Sequence, residues 1–153
     1  GDGVLFSADR EKYIEFCKRE NHKTLLGYGL ALSPEQLAAV DKEIAKLMSL
    51  TVPWDPPQMV KPKRPGIDKE EPMYAYKLKQ EADGRLYKFT SSKFKTYFVM
   101  STNCVLLADT IVGAAGTDIL SVRGFISPGT YQDYLDKEFE RPHSLVVTKR
   151  VYQ

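Results

Sequence analysis

Histidine is the first scarcity: the 153 residues hold two, His22 and His143. Any chemistry that needs an imidazole must use one of these or a group outside the chain. Cysteine is as sparse, with Cys17 and Cys104 alone, which excludes a disulfide-stapled framework. There is no CxxC, no HExxH and no Asp-rich calcium loop, so no metal is expected. Phosphate-cradling glycine patterns are missing too. Gly27-x-Gly29 lacks a third glycine and runs into a Ser-Pro helix start, so no nucleotide cofactor is expected. Long apolar runs are absent. The longest, Cys104 to Ala115, is broken by Asp109 and falls short of the roughly 20 residues that span a bilayer. The chain opens on Gly1-Asp2-Gly3 with no initiator methionine and no signal-peptide pattern, which reads as a processed or trimmed product.

What is present is ordinary globular composition: 42% apolar, 27% charged, net charge +2. That is one domain's worth of chain, and the expectation is a single domain over 1–153. Charge is uneven. Between Gln58 and Lys95 ten Lys/Arg stand against five Asp/Glu, leaving the remainder slightly acidic.

Local patterns predict an α+β order. Ser7 is a candidate cap for a helix over Ala8 to Lys18. Thr24 to Leu32 alternates as a strand. Ser33-Pro34-Glu35-Gln36 combines an N-cap, a proline at the first helical position and a capping-box Gln, opening a helix to Leu50. Thr51 to Pro72 carries six of the nine prolines and reads as a long loop, with Trp54 packing back. Met73 to Lys79 and Arg85 to Phe89 flank Asp83-Gly84 and read as a β-hairpin. Phe94 to Met100 reads as a strand. A helix follows over Cys104 to Ala115, capped by Thr102 or Asn103 and ended by Gly116. Ser127-Pro128 opens another helix, with Tyr131, Tyr134, Leu135 and Phe139 facing inward. Leu145 to Tyr152 reads as the last strand.

Cys104 is the best candidate for chemistry. It stands in the first turn of its helix, where backbone N–H groups lack intrahelical partners and the dipole is positive. Both favour a thiolate, the reactive form. Those N–H groups also suit an oxyanion. The competing reading is a core cysteine, since free Cys is among the most buried residue types and Val105, Leu106 and Leu107 follow.

The segment Tyr97-Phe98-Val99-Met100-Ser101-Thr102-Asn103-Cys104-Val105-Leu106-Leu107-Ala108-Asp109 resembles the nucleophile segment of the NlpC/P60 superfamily, in its circularly permuted, papain-like branch. Ile126-Ser127-Pro128-Gly129-Thr130-Tyr131 is similar to the Pro-Gly segment beyond that helix. Tyr28-Gly29-Leu30-Ala31-Leu32-Ser33-Pro34-Glu35-Gln36 looks like the strand-to-helix step ahead of it. Together they make up 28 of the 153 residues, and their order carries the likeness. The resemblance implies a papain-like α+β fold, a Cys-bearing helix packed on a small antiparallel sheet. It implies a bacterial cysteine amidase or peptidase acting on cell-wall peptides or similar amides, hence periplasmic or secreted. Cys104 would be the nucleophile.

The pattern also needs a histidine base. His22 lies upstream, as in the permuted branch, but ends a charged helix. His143 follows Pro142 with no Gly-His strand motif around it. His22 is the better base within the chain; a His-bearing strand before Gly1 is the further alternative. Two non-enzymatic readings compete. One is a catalytically inactive binding module on the same fold. The other is an interaction domain using the basic Tyr-rich hairpin 73–97, where Lys77, Lys79, Arg85, Lys88, Lys93 and Lys95 interleave with Tyr74, Tyr76, Tyr87 and Phe89. The expected partner is a peptide or amide substrate rather than nucleic acid. The Pro-rich loop is expected to wall one side of the cleft, and Asp109 to face solvent.

Overall fold

The computed structural model describes residues 3–21, 24–61, 66, 69–96, 104–115 and 128–153. It is an α+β arrangement of five helices and three small antiparallel sheets among those residues.

The central element of the first sheet is β6 (Arg85–Phe89), flanked by β1 (Val4–Ser7) and β3 (Thr51–Trp54). Val4 opposes Lys88 on one side, and Thr51 opposes Phe89 on the other. The N-terminal approach is tight. Gly3 donates its N–H to the Lys95 carbonyl at 2.9 Å and accepts from the Phe89 N–H at 3.1 Å. A Cβ on Gly3 would lie 1.7 Å from the Phe94 carbonyl oxygen, so only glycine fits there.

Asp9, not Ser7, caps the first helix, α1 (Arg10–Asn21). Its carboxylate Oδ2 accepts from the Lys12 N–H at 3.0 Å, because Ser7 is already committed to β1 opposite Arg85. The next helix, α2 (Pro34–Ser49), has the capping box its sequence predicts. The Gln36 N–H donates to Ser33 Oγ at 3.1 Å, and the Gln36 side chain accepts from the Ser33 N–H at 2.9 Å.

The predicted hairpin is overturned. Residues 74–81 form a helix, α3 (Tyr74–Glu81), rather than a strand. Tyr74, Tyr76 and Leu78 do alternate, but Leu78 and Ala82 are also spaced i,i+4. Both bury fully against Phe16 and Cys17 of α1. The segment is rich in helix formers, and the packing face decides between the two periods. Asp83, with φ at 51°, makes the turn into β6. The long loop is also partly ordered. Thr51 to Trp54 is β3, and β4 (Met59–Val60) pairs with β5 (Glu71–Pro72). Proline is tolerated because Pro53 lies on an edge strand.

Two apolar clusters form the core. One joins Phe16, Cys17, Leu78 and Ala82, with Ala8, Tyr13 and Leu25 against it. The other joins Leu47, Phe89 and Phe94 to Leu106, Leu107 and Ile111 of α4 (Cys104–Gly113). Thus α4 is held between α2 and the first sheet and also contacts α5 (Pro128–Glu140). The predicted strand 94–100 is described only to 96: Phe94 lies in a turn and is buried, and 97–100 lie outside the described residues. So do the proposed α4 caps, Thr102 and Asn103, and Gly116. Phe139, expected inward, is 40% exposed near the end of α5.

The second sheet pairs β2 (Leu25–Leu30) with β7 (Val146–Tyr152), Gly27 opposite Arg150 and Tyr28 opposite Lys149. Strand alternation gives this ribbon two faces. Leu26 and Tyr28 look toward α5, where Asp136 Oδ1 accepts from Tyr28 Oη and from Lys149 Nζ, both at 2.6 Å. Leu25, Gly27 and Gly29 look toward α1. No helix among the described residues is long and apolar enough to cross a membrane.

Candidate functional site

Cys104 is the first residue of α4 and is exposed, whereas Cys17 is buried in the α1–α3 core. The core reading of Cys104 is thereby set aside, and it applies to Cys17 instead. The sequence separates them in principle. Cys17 falls on the apolar face of α1 with Tyr13 and Phe16, while Cys104 opens its helix before the apolar stripe of Leu106, Leu107 and Ile111 begins.

Cys104 opens into a cavity of about 340 Å³ between α4, α5 and β2. Its wall is Thr24, Leu25, Leu26 and Tyr28 on one side, Cys104 and Ala108 on the second, Tyr131, Gln132 and Leu135 on the third. That volume lies in the range of small-ligand pockets. The first turn of α4 supplies backbone N–H groups aimed toward the helix start, as an oxyanion requires.

Tyr131 stacks on Tyr134, with ring centroids 6.3 Å apart and planes 11° from parallel. Burial, and then the negative charge of Asp109, push its phenol up to about 12. It is therefore a neutral hydroxyl donor at physiological pH. Asp109, expected to face solvent, instead has its Oδ1 fully buried. Tyr28 is likewise raised, by burial and then by its hydrogen bond to Asp136. The cavity thus combines one thiol, two protonated phenols and an apolar floor. In the sequence Tyr28 and Tyr131 are ordinary strand and helix residues; only their convergence across β2 and α5 marks them as site residues.

His22 lies outside the described residues. Thr24, two positions on, is part of the cavity wall. His143 is exposed, sits in the turn between α5 and β7 with φ at 61°, and is not among the cavity-lining residues. Nor does the Pro-rich segment wall this cavity: its described residues contribute nothing to the lining, because β3 carries the chain to the other sheet.

The basic Tyr-rich surface is dispersed. Lys77 pairs with Glu20 at 3.1 Å, Lys79 with Asp55, and Lys88 lies 4.4 Å from the Trp54 ring centroid. With 74–81 helical and Phe89 buried, the hairpin that would have displayed these groups on one face is not formed. No group of His, Cys, Asp and Glu among the described residues could hold a metal ion.

Comparison with family models, with curated proteins and with solved structures gives no match, so the site must be read from its own geometry.

Proposed function

We propose that the chain is a thiol hydrolase, a cysteine amidase or peptidase of the NlpC/P60 type with a papain-like arrangement, and that Cys104 is its nucleophile. The observation that carries this reading is the exposure of Cys104 at the first turn of an apolar helix, opening into a cavity of substrate size. The helix is held from behind by Leu47 and Phe89, so the sulfur sits on a rigid element. Peptide or amide substrates of the cell wall are the class the resemblance adds, which would put the protein outside the cytoplasm. His22 is the proposed base, supported by the entry of Thr24 into the cavity wall. In the reaction the Cys104 sulfur attacks the carbonyl and the base takes the thiol proton. The first-turn N–H groups hold the oxyanion, and the amine leaves with the proton; water then cleaves the thioester.

An activated ester tests this directly. Incubation with p-nitrophenyl acetate should release a burst of one nitrophenolate per chain, place an acetyl group on Cys104 and not on Cys17, and continue to turn over. Cys104→Ala should abolish the burst. His22→Ala should slow it by about 10²- to 10⁴-fold, the usual contribution of a general base, while His143→Ala leaves it unchanged. Acetylation without turnover would reduce the domain to a binding module. Equal labelling of Cys17 would remove Cys104 from the chemistry.

A further inference from the structure

The face of the β2/β7 ribbon opposite Cys104 carries a second and larger cavity, about 580 Å³, between the ribbon and the first turns of α1. Its floor is set by the register. Leu25 opposes Tyr152, Gly27 opposes Arg150 and Gly29 opposes Thr148, and all six line the cavity. The two glycines let the cross-strand side chains of Thr148 and Tyr152 lie close over β2. A Cβ on Gly29 would lie 2.1 Å from Thr148 Oγ1, and one on Gly27 would lie 3.1 Å from the Tyr152 ring. Side chains at those two positions would displace Thr148 and Tyr152, two of the residues that line the cavity.

The charge in this cavity has one sign. Arg10 and Arg150 line it, and no carboxylate does. Arg10 is steered into place: one amino group donates to Tyr152 Oη at 2.7 Å and the other to Glu11 at 3.0 Å. No ion pair or side-chain hydrogen bond engages Arg150 among the described residues. Tyr13, Thr148 and Tyr152 also line the cavity, with Tyr152 Oη beside the Arg10 guanidinium. Two like charges lining one concave surface raise the local concentration of anions, and a guanidinium fork matches the two oxygens of a carboxylate or phosphate.

We propose that this groove is a binding site for an oxyanion group, carboxylate or phosphate, held by Arg150 and Arg10 with the Tyr152 hydroxyl as a secondary donor. It lies across the ribbon from the Cys104 cavity, with Leu25, Leu26 and Tyr28 of β2 as the common wall, and does not depend on the hydrolase reading. Apolar Ile14 and Leu25 at one end suit a ligand whose anionic group ends a short organic body.

Calorimetric titration of the intact chain with three probes tests the site: inorganic phosphate, acetyl-dialanine with a free carboxylate, and the same peptide as its amide. Binding of the acid but not the amide assigns a carboxylate; binding of phosphate alone assigns a phosphate ester. Arg150→Gln should weaken whichever binds by about tenfold or more, the scale of one charged hydrogen bond. Arg10→Gln should do the same, so a folding defect in one variant leaves the other as the test. Lys42→Gln, which removes an exposed charge on α2, should change nothing. Failure of both anions to bind at millimolar concentration overturns the proposal. So does equal binding by the wild type and both arginine variants, or an equal loss in Lys42→Gln.

Discussion

At the scale of single residues, Asp136 is a carboxylate that joins three elements. It accepts from Lys149 and Tyr28 through the same oxygen, tying α5 to both strands of the second sheet. Its carboxyl is held below the ordinary range, first by the Lys149 hydrogen bond and then by that of Tyr28. A lowered folded-state pKa means stability that is present above the unfolded value of about 3.9 and lost as pH falls through the folded value. Asp136→Asn should therefore melt below the wild type at neutral pH. The gap should close on acidification below about pH 4. Melting curves of both proteins from neutral to strongly acid pH measure it, and a gap that stays constant with pH would show that Asp136 acts by packing alone. The same residue bears on the site, since its partner Tyr28 is a wall of the Cys104 cavity.

Elements form here for reasons of different strength. α2 is specified locally, by a reciprocal cap that satisfies two backbone donors. Ser33→Ala should lower stability by about 1 kcal/mol, and Ser33→Asp should restore most of it. Chemical denaturation of the three proteins is the measurement; an unchanged midpoint in the alanine variant would mean the helix is held by tertiary contact instead. α3 is the opposite case. It has no side-chain cap at Met73, and its sequence fits a strand period as well as a helical one. What decides is the docking of Leu78 and Ala82 on Phe16 and Cys17. β3 likewise owes its strand to β6: Thr51 to Trp54 has a proline within it and little signal of its own.

At the scale of the molecule, the two buried clusters pack against different neighbours: Ala8, Tyr13 and Leu25 serve one, Leu5, Leu50 and the α4 residues Leu106, Leu107 and Ile111 the other. Leu78→Ala and Leu47→Ala should each cost about 2–5 kcal/mol, as buried leucines do. In the double variant the losses should add to within about 0.5 kcal/mol. Denaturant melts of the two singles and the double give the comparison. A large coupling energy would mean that the clusters behave as one core through β6.

The sequence by itself determined the α+β class, the capped α2, the strands at 25–30, 85–89 and 146–152, and the placing of Cys104 at a helix start. These are short-range matters of period, cap and turn, and they need no partner to be stated. Tertiary structure alone decided that Cys17 is core and Cys104 is open, since burial depends on what packs across from a side chain. It turned 74–81 into helix and so dispersed the basic patch. It brought Tyr28 and Tyr131, more than a hundred residues apart, to the same cavity as Cys104. It also set Arg10 and Arg150 around one cavity. Each of these is a contact between distant segments, fixed by strand register and helix docking.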